Sequence, residues 1–193
     1  AFGMWDEILA LPAQPDNRPF LQGTLNHVRG AAMAATGDIA GAEAELAALD
    51  ATLANPLLQT QRAAVNTAAN VLAINRASLA GEIANAKGDY EAAIAAFTLA
   101  VDLQDHLRYM EPPDWIQSMR LFLGQAYLSA GQPEEARRVF LEDLDLLQEN
   151  GWALFGLTAA LDALDLDAEA AEARERFDES WEYATVELTK AHF

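Results

Sequence analysis

Apolar residues along this chain recur at intervals of three and four, and the runs are cut by glycine and proline. That period places them on one face of a helix rather than on alternate faces of a strand. The pattern is densest between Trp115 and Phe140, where Leu123-Gly124-x-x-Tyr127 is followed by Gly131 and then by Ala136-x-x-x-Phe140. Gly124 lets two helices approach closely, and Tyr127 fills the space between them. Gly131 ends the first helix, where a left-handed residue is favoured without a side chain. Pro133 suits the first turn of the second helix, whose N–H groups have no intrahelical partner. Ala136 and Phe140, four apart, share a face.

The same phrase returns. Glycines seven apart occur as Gly30/Gly37, Gly81/Gly88 and Gly124/Gly131. Each pair is followed by an alanine and a large apolar residue four apart: Ala42 and Leu46, Ala93 and Phe97, Ala136 and Phe140. The chain therefore reads as helical hairpins over 20–53, 66–105, 114–148 and 150–190, preceded by a half-hairpin over 1–11 and a proline-bearing loop over 12–19. Gly3-Met4-Trp5-Asp6 matches the turn Gly88-Asp89-Tyr90-Glu91, so the chain opens halfway through a repeat. This predicts the C-terminal piece of a longer protein, with apolar surface at Met4, Trp5, Ile8 and Leu9 that needs cover. The turn glycines Gly3, Gly37, Gly88 and Gly131 are spaced by 34, 51 and 43 residues. The second interval has room for an extra helical turn or a lengthened helix over 56–66. The third holds an insertion from Gln104 to Pro113, after which Asp114 is expected to cap a helix starting near Trp115. The last hairpin repeats the core as Trp152-x-x-Phe155-Gly156, with a turn near Asp165. Helix 167–190, with Glu172/Arg176 and Arg174/Asp178 at helical spacing, reads as a polar C-terminal cap.

A large residue, a Leu-Gly pair and a tyrosine on one helix, with an alanine and a phenylalanine on the next, resemble the tetratricopeptide repeat (TPR), as does the 34-residue spacing. The segment 77–190 also resembles the C-terminal part of long bacterial TPR proteins of unassigned function. Ala80-Gly81-Glu82-Ile83-Ala84, Glu111-Pro112-Pro113-x-Trp115, Glu142-Asp143-Leu144 and Asn150-Gly151-Trp152-Ala153-Leu154-Phe155 carry that likeness. The resemblance implies an all-α, right-handed superhelix of antiparallel hairpins (an α-solenoid), a single domain over 1–193 and a scaffold role, with no reaction.

Composition narrows the partners. The net charge is −18 and lysine occurs only at Lys87 and Lys190. Nucleic acid and anionic membranes need basic patches, so both are disfavoured. A protein or peptide, and a basic one, suits the charge better. Cysteine is absent, which removes disulfide and thiolate–metal chemistry. His27, His106 and His192 are dispersed without metal-ligand spacing, and no phosphate loop or nucleophile elbow occurs. No metal, cofactor or enzymatic activity is therefore expected. The compartment stays open, a soluble cytoplasmic protein being favoured over a periplasmic one. Self-association through the half-hairpin, or pairing with a missing N-terminal part, is a further expectation.

In a TPR array the first helices of successive hairpins line a concave groove. Aligned on their glycines, they direct His27 there, then Asn75, Ser78, Glu82 and Asn85, then Ser118, Leu121 and Gln125, and finally Asn150, Ala153 and Leu157. The middle of that groove is polar, with Glu82 its one charge, and suits an extended or helical peptide with polar and basic side chains. A groove blocked by the insertion would count against this. A second candidate is the insertion itself, where Tyr109, Glu111 and Trp115 could form an aromatic–acidic small-molecule or metal pocket with Trp152, completed by a missing N-terminal half. The alternative there is that Pro112-Pro113 stiffens a connector and Trp115 packs beneath it.

Overall fold

A computed structural model describes residues 4–12 and 17–192, and the chain divides into two compact units, one through Gln117 and one from Ser118. Gly3 and part of the proline-bearing loop lie outside the described residues. Both units are built of antiparallel helical hairpins, so the fold is an all-α helical repeat.

The first unit contains α1 (Trp5–Leu9), α2 (Pro19–Thr36), α3 (Ile39–Leu53), α4 (Leu57–Thr60), α5 (Ala68–Ala86) and α6 (Tyr90–Asp105). Helices α2 and α3 form one hairpin and α5 and α6 another, with α2 lying beside α5. Pro19, assigned to the loop by sequence, is instead the first residue of α2, where its fixed φ suits a helix start. The extra length over 56–66 becomes the single turn α4 and then a short non-helical loop, closed by an antiparallel bridge between Arg62 and Thr67. Helix α1 packs on α2, leaving Trp5, Ile8 and Leu9 half-buried and Met4 exposed.

The second unit contains α7 (Met119–Ser129), α8 (Pro133–Leu146), α9 (Gly151–Asp162) and α10 (Asp167–Trp181). Its centre is Phe140, fully buried between α7 and α9. A Cβ added at Gly124 would fall 2.5 Å from the Phe140 ring, and one at Gly156 closer still. Both helices can touch the ring only because these two positions lack a side chain. Ala136, one turn before Phe140, is equally buried.

Each hairpin turn is made the same way. The glycine is left-handed, with φ of 69° at Gly131, and the N–H after it bonds back to the last helical turn, as in Gln132 N–H to Tyr127 O at 2.9 Å. The last turn does this without glycine: Asp165 takes φ of 55° and Leu166 N–H reaches Leu161 O at 3.1 Å. Asp38 and Asp89 then cap α3 and α6 through Gly41 N–H and Ala92 N–H.

Two expectations fail at helix ends. Asp114 does not cap α7, which starts at Met119 with Ser118 accepting from Arg120 N–H at 3.3 Å. The long helix expected over 167–190 stops at Trp181. Trp181 O accepts from Ala184 N–H, and the Trp181 indole donates to Val186 O at 2.7 Å. This turn suits a stretch holding β-branched Thr185 and Val186, which favour helix poorly. The expected i,i+4 pairs on α10 are also absent among the described ion pairs: Arg174 reaches Asp162 and Arg176 reaches Glu149, at 2.8 and 2.9 Å.

Candidate functional site

Four of the residues named from sequence meet in the first unit. His27 projects from α2 toward α5, with Nε2 3.7 Å from the Glu82 carboxylate. Ser78, one turn before Glu82, donates its hydroxyl to that carboxylate at 2.9 Å. The Trp115 ring lies 5.8 Å from the His27 ring, tilted by 55°. The chain after α6 thus returns to the face shared by α2 and α5 and lays an indole on it. Trp115 is half-buried there, so it covers part of the face expected to be open.

Asn75 and Asn85 extend the stripe along α5, at spacings that keep them on the helical face of Ser78 and Glu82. Asn75 and Ser78 are nearly fully buried. The side-chain oxygens of Asn75 and Asn85, the Nε2 of His27 and the indole N–H of Trp115 are all buried without a hydrogen-bond partner. Buried polar atoms ordinarily find partners, because leaving one unmet costs about 1–3 kcal/mol. Beside this stripe, Glu45 of α3 accepts from Asn26 and lies 3.2 Å from the Arg29 guanidinium.

The insertion does not make the aromatic–acidic pocket. Tyr109 is 84% exposed, and its hydroxyl donates to the exposed Glu111 carboxylate. Trp115 is turned instead to His27. The insertion is fastened by Asn66, which the sequence did not single out, and by Asp114, which was expected to cap a helix. The buried Asn66 accepts from Arg108 N–H at 2.8 Å and donates to Arg108 O at 3.1 Å, imitating a strand partner. Asp114 accepts from Asn66 Nδ2 at 2.8 Å and from the backbone N–H groups of Asn66 and Val65. Desolvation pushes the Asp114 pKa up, but the hydrogen bonds from Asn66, Val65 and Ala64 outweigh it and hold the carboxyl below its ordinary value. No spacing rule could reveal this clasp, since its halves lie more than forty residues apart.

In the second unit Gln125 is engaged, its side-chain oxygen accepting from Ala191 N–H at 3.0 Å. Ser118 and Asn150, aligned with the groove by sequence, are instead the caps of α7 and α9. Both bond to Asp143 of α8, which is fully buried. Burial pushes the Asp143 carboxyl up, against the lowering effect of Ser118, Asn150 and the Arg120 charge. Its signal was legible, because an aspartate stands among Val139, Phe140 and Leu144 on an apolar face. Leu157, with Leu161, floors a recess between α8 and α10. Trp152 is half-buried and meets Trp181 edge-on at 5.4 Å, while Trp181 stacks on Phe177 and Tyr183 stands exposed.

Among the described residues no group of three His, Asp or Glu could hold a metal ion, and no helix is long and apolar enough to cross a membrane. Comparison with curated proteins and with solved structures returned no match. Residues 78–106, the second half of α5 with all of α6, match the model of one family, the tetratricopeptide repeat. That family is one of protein-interaction scaffolds, generally without catalysis, and the matched residues include Ser78, Glu82 and Asn85.

Proposed function

We propose that the chain is a protein-binding scaffold whose α2/α5 face takes a peptide with polar and basic side chains. The observation that carries this reading is the set of buried, unpartnered polar atoms on His27, Asn75, Asn85 and Trp115 around the Glu82 carboxylate. A peptide supplies both amide donors and carbonyl acceptors at short spacing, and so can meet such a set. Trp115 narrows the face at His27, so the peptide is placed against Glu82 and Asn85. Glu82 and a net charge of −18 favour Lys or Arg in the ligand.

The test is a peptide array probed with the intact chain, followed by anisotropy titration of the best binders. Basic, amide-rich sequences should be enriched. Glu82→Lys should weaken them by about tenfold or more, which corresponds to about 1.4 kcal/mol. Asn85→Ala should weaken them less. Equal affinity for the Glu82→Lys chain would remove this face as the site.

A further inference from the structure

The last hairpin departs from the others at one pair of positions. In α5/α6 and in α7/α8 a helical glycine stands seven residues before the left-handed turn residue, and a phenylalanine nine after it. The ring lies against the glycine in both, Phe97 on Gly81 and Phe140 on Gly124. At Asp165, the left-handed residue of the last turn, the same offsets fall on Thr158 and Arg174. Neither brings a ring, and Arg174 reaches Asp162 instead, at 2.8 Å. A recess of about 340 Å³ opens here between α9 and α10. Its apolar walls are Phe155, Ala159 and Phe177, the two rings standing 5.7 Å apart and tilted by 60°. Thr158, Asp162, Arg174 and Asp178 complete the lining.

We propose that this recess binds a small organic cation, a protonated amine on a flat apolar body. Its volume falls at the low end of the roughly 300–1,000 Å³ of small-molecule clefts. The aromatic walls favour an apolar body, and the face of a ring attracts a cation. The charge of the lining is unbalanced. Arg174 is matched by Asp162, while Asp178, its expected helical partner, has no ion pair or hydrogen bond among the described residues. One uncompensated carboxylate therefore stands beside the two rings. The Thr158 hydroxyl donates to Leu154 O at 2.9 Å, so its oxygen meets a ligand only as an acceptor. An ammonium donates and does not accept, which suits both Thr158 and Asp178, whereas an anionic ligand suits neither. The site lies wholly on α9 and α10. It shares no residue with the α2/α5 face, and either reading can fail without the other.

The probe is phenethylamine, protonated at neutral pH, titrated into the intact chain and followed by nitrogen–proton correlation NMR. Saturable shifts should appear at the amides of Thr158, Ala159 and Asp178. They should also appear at the Trp181 indole, which stacks on Phe177 at 5.7 Å. The neutral isostere 2-phenylethanol should bind at least about fivefold more weakly, for want of the charge pair and the cation–ring contact. Methylammonium, which has the charge without the ring, should give no saturable shift. Asp178→Asn, at an exposed position, should bring the amine down to the affinity of the alcohol. Ala159→Phe, which fills the recess, should abolish binding. Equal affinity for amine and alcohol, equal shifts with methylammonium, or no saturable shift at all would each overturn the proposal in the intact chain, without recourse to a variant. Unchanged affinity in Asp178→Asn or in Ala159→Phe would overturn it as well.

Discussion

On α5, Asn75 and Asn85 keep buried side-chain oxygens unbonded, whereas on α7 the side chains of Ser118 and Gln125 are engaged inside their own unit. Both are first helices of hairpins with polar residues at matching offsets. The difference is what the rest of each unit supplies. In the second unit Asp143 meets Ser118 and the C-terminal segment meets Gln125. In the first unit the insertion brings an apolar ring, Trp115, which covers His27 without satisfying it. A polar residue at a groove position is thus a binding candidate only where the fold leaves it unmet.

The largest expected effect lies in the second unit. Phe140→Ala should destabilise the chain by about 3–5 kcal/mol in urea denaturation, the range for a large buried aromatic. It should also release the His192 ring from Phe122, because α7 and α9 both rest on Phe140. A loss below about 1 kcal/mol would mean that the unit is not centred on that ring.

Next comes the clasp of the first unit. Asn66→Ala removes bonds to Arg108 and Asp114 and should cost about 1–3 kcal/mol. If the clasp positions Trp115, acrylamide quenching of tryptophan should rise in this variant, and introducing Trp115→Phe should abolish the rise. Unchanged quenching would show that Trp115 is held by its own packing.

Two carboxylates, Asp114 and Asp143, sharpen the comparison through pH. Asp114 is held below its ordinary 3.8, so its contribution is complete above that value and is lost as pH falls through the lower folded pKa. Asp143 is pushed above 3.8, so folding favours its neutral form, and that contribution is lost as pH rises through the higher folded pKa. Stability measured against pH should therefore lose its acid-side fall in part in Asp114→Asn, and in Asp143→Asn lose a fall on the way to neutrality. The same sign of change in both variants would contradict these environments.

The smallest effect belongs to the surface. Arg138 bridges Glu135 and Glu142 on α8 with its side chain half exposed. Arg138→Ala should cost no more than about 1 kcal/mol, and less in high salt.

The hairpins were legible because their signals are local. A left-handed glycine, a capping aspartate and an alanine–aromatic pair four apart act within a few residues of themselves. Much of the α5 stripe was legible for the same reason, since helical spacing alone puts Asn75, Ser78, Glu82 and Asn85 together, and the alignment added His27. Where local signals compete, sequence reading went astray. Asp114 looked like a cap beside Trp115, yet a carboxylate accepts from whichever N–H groups the fold brings near, and those belonged to Val65 and Asn66. The polar helix was expected to run on to 190, yet it stops at Trp181, and residues 191 and 192 are held on Gln125 and Phe122.

By itself, then, the sequence determined most of the helices, their turns and the shared face of the polar residues on α5, because those follow from backbone geometry over short separations. Only the tertiary structure decided which polar atoms are met. That depends on segments far along the chain: Asn66 on Arg108 and Asp114, Trp115 on His27, Ala191 on Gln125. A buried hydrogen-bonding group is worth little or costs much according to whether such a segment arrives, and no local pattern encodes the arrival.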